Sequence, residues 1–332
     1  MKSLIHVTPS GWTGLILAAI GILVLPSLLG HFWLSVFTSA ACFTLAIAGV
    51  AFMYARLGLV SLTQVGLMGV GGWIALRLNH ALDLPFELNA AIAAGCAMLL
   101  SWLLALPALR MRGLYLALVT LMAAGGLEII FGTFKFPNGG DGFWGVAPGS
   151  GELMRRPWIA ESPEAYLRYV IACALLGFLF IEIHRRLQPG RAWAMIRRSE
   201  AAAMAAGANV TLYKTWAFGI AGLLAGAAGA LLAGSLGVLD GGTFRASESI
   251  MIFALAIVGG AQCWQGAVIA AILYKVLPAL LNLWGVDADL SYAIFGAGLL
   301  HAVITAPQGV AGQLVAATQR LYAARKGESA RA

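Results

Sequence analysis

Ten apolar runs, each near the length that crosses a bilayer, constrain this chain more than any other feature. A helix crosses roughly 30 Å of hydrocarbon with about 20 residues, and at that depth the backbone must bond to itself. The runs cover residues 12–29, 32–54, 60–78, 88–109, 114–131, 169–183, 216–233, 249–261, 266–283 and 290–305. Composition agrees, because 61% of the 332 residues are apolar and 11% are charged, against about 25% charged in soluble domains. The expectation is an all-α, polytopic helical membrane protein, one transmembrane domain over residues 1–332 with about ten membrane helices. The first run follows Lys2 and resembles a secretory leader. It lacks an A-x-A pattern near Pro26, and another span follows at once, so it reads as a retained span.

Charge orients these spans. With both termini cytoplasmic, fourteen of the 21 basic residues lie inside, among them Lys2, Arg56, Arg110, Arg112 and the tail's Arg320 and Arg325, as the positive-inside bias requires. Were 249–261 only re-entrant, the tail would move outside and the bias would largely vanish. The net charge of +7 therefore records topology and calls for no nucleic-acid partner. The expected location is an inner (plasma) membrane of a bacterial kind, multi-pass. Residues 132–168 form the longest extracytoplasmic loop, opening on Pro137, Asn138, Gly139, Gly140 and Asp141, and 317–332 form a polar cytoplasmic tail.

Catalytic constellations are missing from the sequence. The five histidines fall at separate segment ends, and Cys42, Cys96, Cys173 and Cys263 are scattered singly at neither metal nor redox spacing. No G-x-S-x-G elbow occurs. No lysine follows a glycine, which excludes a Walker A loop. The reading is a transporter without its own ATPase or catalytic site, driven by a partner or by a gradient, with no cofactor or metal in this chain.

Polar groups inside apolar runs are few. Ser61 and Gln64 precede a glycine-rich stretch with Gly69, Gly71, Gly72 and then Trp73. Glycines this close suit tight helix packing first, and beside polar residues they also suit a substrate path. Glu128, Glu248 and Lys275 are ionisable groups in or at the edge of spans. Each is a candidate for the path or for a structural ion pair, Glu128 being placed with the path.

Residues 184–214 are the most basic interior stretch, with His184, Arg185, Arg186, Arg191, Arg197, Arg198 and Lys214. Pro189 and Gly190 break the preceding span, and one helix is expected over 191–206, closed by Gly207 and Asn209. Trp193, Ile196 and Ala203 share a face, with Arg191, Arg197, Arg198 and Glu200 off it. Such a helix lies either on anionic headgroups or against a cytosolic partner. The alanine run 201–206 favours the partner, since it offers close approach and little greasy area.

At this point the motifs resemble a known family. GRAWAMIRRSEAAAMAAGANVTLYKTWAF at 190–218 is similar to the cytoplasmic loop of branched-chain amino-acid ABC permeases, especially their LivM-like branch. In the same order stand GLVSLTQVGLMGVGGW at 58–73, LRMRGLYLALVTL at 109–121, NGGDG at 138–142, SIMIFALAIVGG at 249–260 with Gly266 after it, and APQGVAG at 306–312. The resemblance implies a permease subunit of an ATP-driven importer for branched-chain or other apolar amino acids. It implies as partners two ABC ATPase subunits, which bind the ATP and Mg, a second related permease and a periplasmic substrate-binding protein. Gly190, Arg191, Ile196, Arg197, Arg198, Glu200, Ala203 and Gly207 would form the short coupling helix. Three departures stand out: one extra residue between Glu200 and Gly207, Gly259-Gly260-Ala261-Gln262 in place of G-G-x-G, and Trp73 where a smaller G-A-Y pattern is usual. The bulkier Trp73 leaves urea, amides or aromatic acids open as substrates. A gradient-driven carrier for a small polar or amphiphilic solute is the alternative.

Overall fold

The computed structural model describes residues 26–82, 84–111, 113–133, 154–239, 241–286, 290, 296–297 and 309–313. Among these residues there is no strand, and ten α-helices of six residues or more are joined by turns and two 3-10 segments. In order they are α1 (His31–Leu57), α2 (Gln64–Leu82), α3 (Phe86–Ala108), α4 (Leu114–Thr133), α5 (Pro163–Arg186), α6 (Gln188–Arg198), α7 (Glu200–Ala205), α8 (Val210–Leu236), α9 (Ala246–Gly259) and α10 (Trp264–Leu283). Six of them, α1, α3, α4, α5, α8 and α10, are long and apolar enough to cross a membrane.

The ten expected spans compare with these six as follows. Runs 12–29 and 290–305, the NGGDG motif and the tail 317–332 lie wholly or mostly outside the described residues. The run at 60–78 starts late as a helix, at Gln64, because residues 58–63 are not helical. The run at 249–261 is α9, whose 14 residues make about 21 Å of helix, short of the hydrocarbon thickness. Helix α5 is longer than its apolar run because Ser162 caps it, its Oγ accepting from Ala165 N at 3.2 Å, with Pro163 in the first turn. Glu164 and Arg168 in the first turns hid that start from a hydropathy ruler.

Two helices form the core. In the most apolar stretch of α8, 89% of residues are buried, and in α1 78%, against 28–33% for α3, α4, α5 and α10. The outer four therefore present most of their surface to lipid or to neighbouring chains. Apolar burial gives little association between helices in lipid, so contact at backbone distance has to replace it. Glycines supply that contact. A Cβ on Gly71 of α2 would lie 2.3 Å from the Gly226 carbonyl oxygen of α8, and one on Gly229 would lie 2.7 Å from the Gly72 nitrogen.

Side chains from neighbouring elements also bond the backbone carbonyls of α8. Ser101 Oγ of α3 donates to Phe218 O at 2.7 Å, Gln64 Nε2 of α2 to Ala221 O at 2.8 Å, and Tyr166 OH of α5 to Leu231 O at 2.6 Å. Beyond α4 and the undescribed part of the long loop, Arg156 reaches Gly234 O and Ser235 O, each at 3.1 Å, and caps the negative end of the helix.

Candidate functional site

Two places hold most of the residues singled out by sequence: an elbow between α5 and α8, and a polar junction inside the membrane.

The elbow begins at Leu187, extended at φ −80° and ψ −177°, which ends α5 and starts α6. Pro189 sits in the first turn of α6, where its missing N–H costs nothing. Gly190 is required by contact, because a Cβ there would lie 1.9 Å from the Arg185 carbonyl oxygen. The face predicted from Trp193, Ile196 and Ala203 is the buried one, at 0%, 4% and 0% exposure. Trp193 stacks edge-on to Phe52 of α1, centroids 5.0 Å apart, and its Nε1 donates to Tyr213 O of α8 at 2.9 Å. One indole thus ties the elbow to both core helices.

The single helix expected over 191–206 is two helices, a correction whose cause is Ser199. Its backbone is extended (φ −161°, ψ 120°), and its Oγ accepts from Ala202 N at 3.2 Å, so it caps α7 and interrupts α6. Gly207 closes α7 at φ +83°, with Ala208 N bonded to Ala203 O and Gly207 N to Met204 O, both at 2.9 Å. That pair of bonds is the Schellman pattern, which needs a left-handed residue. Asn209 does not share in it; its Oδ1 accepts from Leu212 N at 3.0 Å and starts α8.

Glu200 turns inward at the elbow. Its Oε1 meets Lys214 Nζ at 2.6 Å, with side-chain exposures of 32% for the acid and 8% for the base. Arg191, Met195, Arg197, Arg198, Ala201 and Met204 are exposed. They outline an outward surface with small and flexible apolar groups amid cations.

The polar junction lies where α1 ends at Gly58 and the chain turns back on itself. A Cβ on Gly49 would lie 2.7 Å from Gln64 Nε2, so Gln64 stands level with Gly49, eight residues or about 12 Å up α1 from Leu57. Residues 58–63 therefore run back into the membrane before α2 starts. Non-helical backbone at this depth needs protein partners, and it has them. Leu62 N donates to Thr120 Oγ1 of α4 at 3.0 Å and Val65 N to Ser249 Oγ of α9 at 3.2 Å. Ser61 Oγ and Thr63 Oγ1 are 3.0 Å apart. Ser61, Thr63, Gln64, Thr120 and Ser249 are all buried.

Helix α9 starts at depth as well. Phe244 just before it is fully buried, 2.9 Å from where a Gly69 Cβ would stand and 6.2 Å centroid to centroid from Phe131 of α4. Ala246 N, in the first turn of α9, donates to Glu128 Oε2 of α4 at 2.8 Å. Glu128 is thereby a capping carboxylate at the positive end of a helix. The junction thus brings together Ser61, Gln64, Gly69 and Glu128, while Gly71 and Gly72 pack on α8 and Trp73 is half-buried against the core. Sequence reading missed Thr120 and Ser249, whose only signal was a lone hydroxyl in an apolar run.

Glu248 and Lys275 form a separate cluster. Tyr274 OH donates to Glu248 Oε2 at 2.7 Å, and Lys275 Nζ lies 4.4 Å from the Phe43 ring centroid and 4.5 Å from that of Tyr274. Aromatic faces hold the ammonium, with the Glu248 carboxylate of α9 within electrostatic range. Among the described residues no group of histidine, cysteine and acidic side chains could hold a metal ion.

The pattern of the family described as Branched-chain amino acid transport system / permease component matches residues 32–303. The High-affinity branched-chain amino acid transport system permease protein LivM of Escherichia coli (strain K12) is 28% identical, over 86% of this chain and 74% of that protein. The protein of the same name from Salmonella typhimurium (strain LT2) is 27% identical, over 80% of this chain and 69% of that protein. No solved structure matches the chain significantly. With the family pattern running from the second residue of α1 past the end of α10, the chain belongs to the branched-chain amino acid transport permease family.

Proposed function

We propose that this chain is the membrane-spanning subunit of an ATP-driven importer for branched-chain or other apolar amino acids. Two ATPase subunits bind ATP and Mg on the cytoplasmic side, a second related permease completes the pathway, and a periplasmic binding protein delivers the substrate. The chain has about ten spans with both termini cytoplasmic, counting runs 12–29 and 290–305 and treating α2 and α9 as spans that start within the membrane.

The observation that carries the reading is the elbow. Trp193 is fully buried between α1 and α8, while Met195, Ala201 and Met204 face outward on the same two short helices. A partner pressing on the outer face moves the two core helices through the inner one. Alternating access follows as a rigid-body change, with the junction at 58–65 and 244–249 as the place where packing switches. Arg191, Arg197 and Arg198 set the charge of the docking face, and Gly190 and Gly207 shape its ends.

The test uses the complex with its ATPases, reconstituted in vesicles. Ala201→Trp places bulk on the exposed face of α7 and touches none of the inward contacts. The expected result is a folded permease that no longer retains the ATPases or takes up substrate on ATP addition. Uptake that needs no ATP and collapses with an uncoupler would overturn the importer reading in favour of a gradient-driven carrier.

A further inference from the structure

The outer face of α5 carries Leu175, Leu176, Leu179 and Ile183 at 49%, 63%, 54% and 45% exposure. Spacings of three and four put them on one stripe, and in a membrane protein an apolar stripe on an outer helix meets lipid tails. The stripe does not end at the last leucine. Glu182 lies seven residues beyond Leu175, and Arg186 seven beyond Leu179, close to two full turns in each case. The same face therefore turns ionic at the cytoplasmic end of the helix. Helix α5 has 24 residues, about 36 Å, against about 30 Å of hydrocarbon. Centred on the bilayer, it brings Arg186 to headgroup depth on the lipid side, with Arg185 beside it and turned towards Arg56 of α1.

The charges there are assembled from three elements. Glu182 accepts from Arg185 through Nε and Nη2, both at 2.5 Å, and from Arg186 Nε at 2.6 Å. Arg185 and Arg186 remain 40% and 54% exposed, with N–H groups left over from that shared carboxylate. Arg56, in the last turn of α1, lies within electrostatic range of Arg185, Glu182 and also Arg197 of α6. Four cations and one carboxylate make a local excess of three positive charges. Arginines gathered this way repel one another unless an anion joins them, and a guanidinium matches phosphate geometry well.

We propose that Arg56, Arg185, Arg186 and Arg197 bind the phosphate of an anionic phospholipid from the cytoplasmic leaflet, with its acyl chains along the Leu175–Ile183 stripe. Continuity with that stripe favours a lipid over a protein, since a docked ATPase has no reason to sit above exposed leucines. Glu182 holds two of the guanidiniums in a fixed spread. Arg197 belongs to α6, so the bound lipid also touches the helix that Trp193 fastens to the core.

The test is native mass spectrometry of the full chain in detergent, titrated with phosphatidylglycerol or with phosphatidylcholine of the same acyl chains. The wild type is expected to retain phosphatidylglycerol preferentially. Arg185→Gln with Arg186→Gln removes two cations and is expected to lower that preference about 30-fold, while Arg110→Gln, elsewhere on the cytoplasmic face, leaves it unchanged. If the double variant does not fold, Arg56→Gln and Arg197→Gln keep the Glu182 pairs, and each is expected to cost about fivefold. Equal retention of the two lipids by the wild type overturns the proposal, as does an unchanged preference in the variants. Because the readout needs neither substrate nor ATP, its failure is separate from failure of the importer reading.

Discussion

Replacing Glu200 is expected to harm the elbow more than replacing the lysine it pairs with, and the asymmetry can be worked from burial. Lys214 has 8% of its side chain exposed, and its Nζ lies 2.6 Å from Glu200 Oε1, whereas Glu200 is 32% exposed. Glu200→Ala strands an ammonium that water hardly reaches; a hydrogen bond to a charged group is worth about 1.5–3 kcal/mol, and an orphaned buried partner adds its desolvation cost. Lys214→Met leaves a carboxylate that can rehydrate, so its cost falls towards the 0–1 kcal/mol of exposed pairs. The expected losses are about 2 kcal/mol for Glu200→Ala and under about 1 kcal/mol for Lys214→Met. The double variant removes the stranded charge and recovers most of the difference, a coupling of about 1 kcal/mol. Unfolding of the purified chain, followed by tryptophan fluorescence, reads this, because Trp193 is bonded to the residue just before Lys214. In the complex, Glu200→Ala is also expected to hydrolyse ATP with reduced uptake. Equal costs for the two single variants, or strict additivity in the double, would refute the brace.

Three other perturbations test the packing. Gly71→Ala drives a methyl to 2.3 Å from the Gly226 carbonyl, backbone against backbone, and is expected to cost about 1–3 kcal/mol, read by thermal unfolding. Gly190→Val meets the Arg185 carbonyl at the elbow; loss of ATPase co-purification with little change in the melting of the core is the expected outcome. Glu128→Gln keeps an oxygen for Ala246 N and Glu128→Ala removes it, so only the alanine variant is expected to speed amide exchange at the start of α9, by a factor matching about 1 kcal/mol.

Much of the chain was legible because hydropathy and helix length are coupled by the bilayer. The bounds of α1, α3, α4 and α10 fall within three residues of the apolar runs read from sequence. The inward face of the elbow was legible too, since Trp193, Ile196 and Ala203 keep helical spacing even across the break at Ser199. The break itself was not, because an alanine run gives no reason to stop and one serine hydroxyl decides it. Nor was the start of α2 at depth, where Gln64 and Ser61 read as a path and the partners that satisfy them, Ala221 and Thr63, come from tertiary contact and from a neighbour two residues on. Glu128 and Lys275 show the same limit. A charge in an apolar run signals that it must be partnered, but whether by a helix start, as for Glu128, or by ring faces with a carboxylate in range, as for Lys275, depends on which helix packs alongside.

The carbonyls of α8 that accept from Ser101, Gln64, Tyr166 and Arg156 act as a register key. Sliding α8 by half a turn, about 2.7 Å, would break all four attachments at once, because the next carbonyl on the same face lies a full turn, about 5.4 Å, along the helix. Small sliding of this helix past its neighbours is therefore opposed by all four bonds together. Whatever displacement arrives at Trp193 must carry α2, α3, α5 and α8 as one block, and the compliance has to come from the segments that are not helical, 58–63 and the stretch before Ala246.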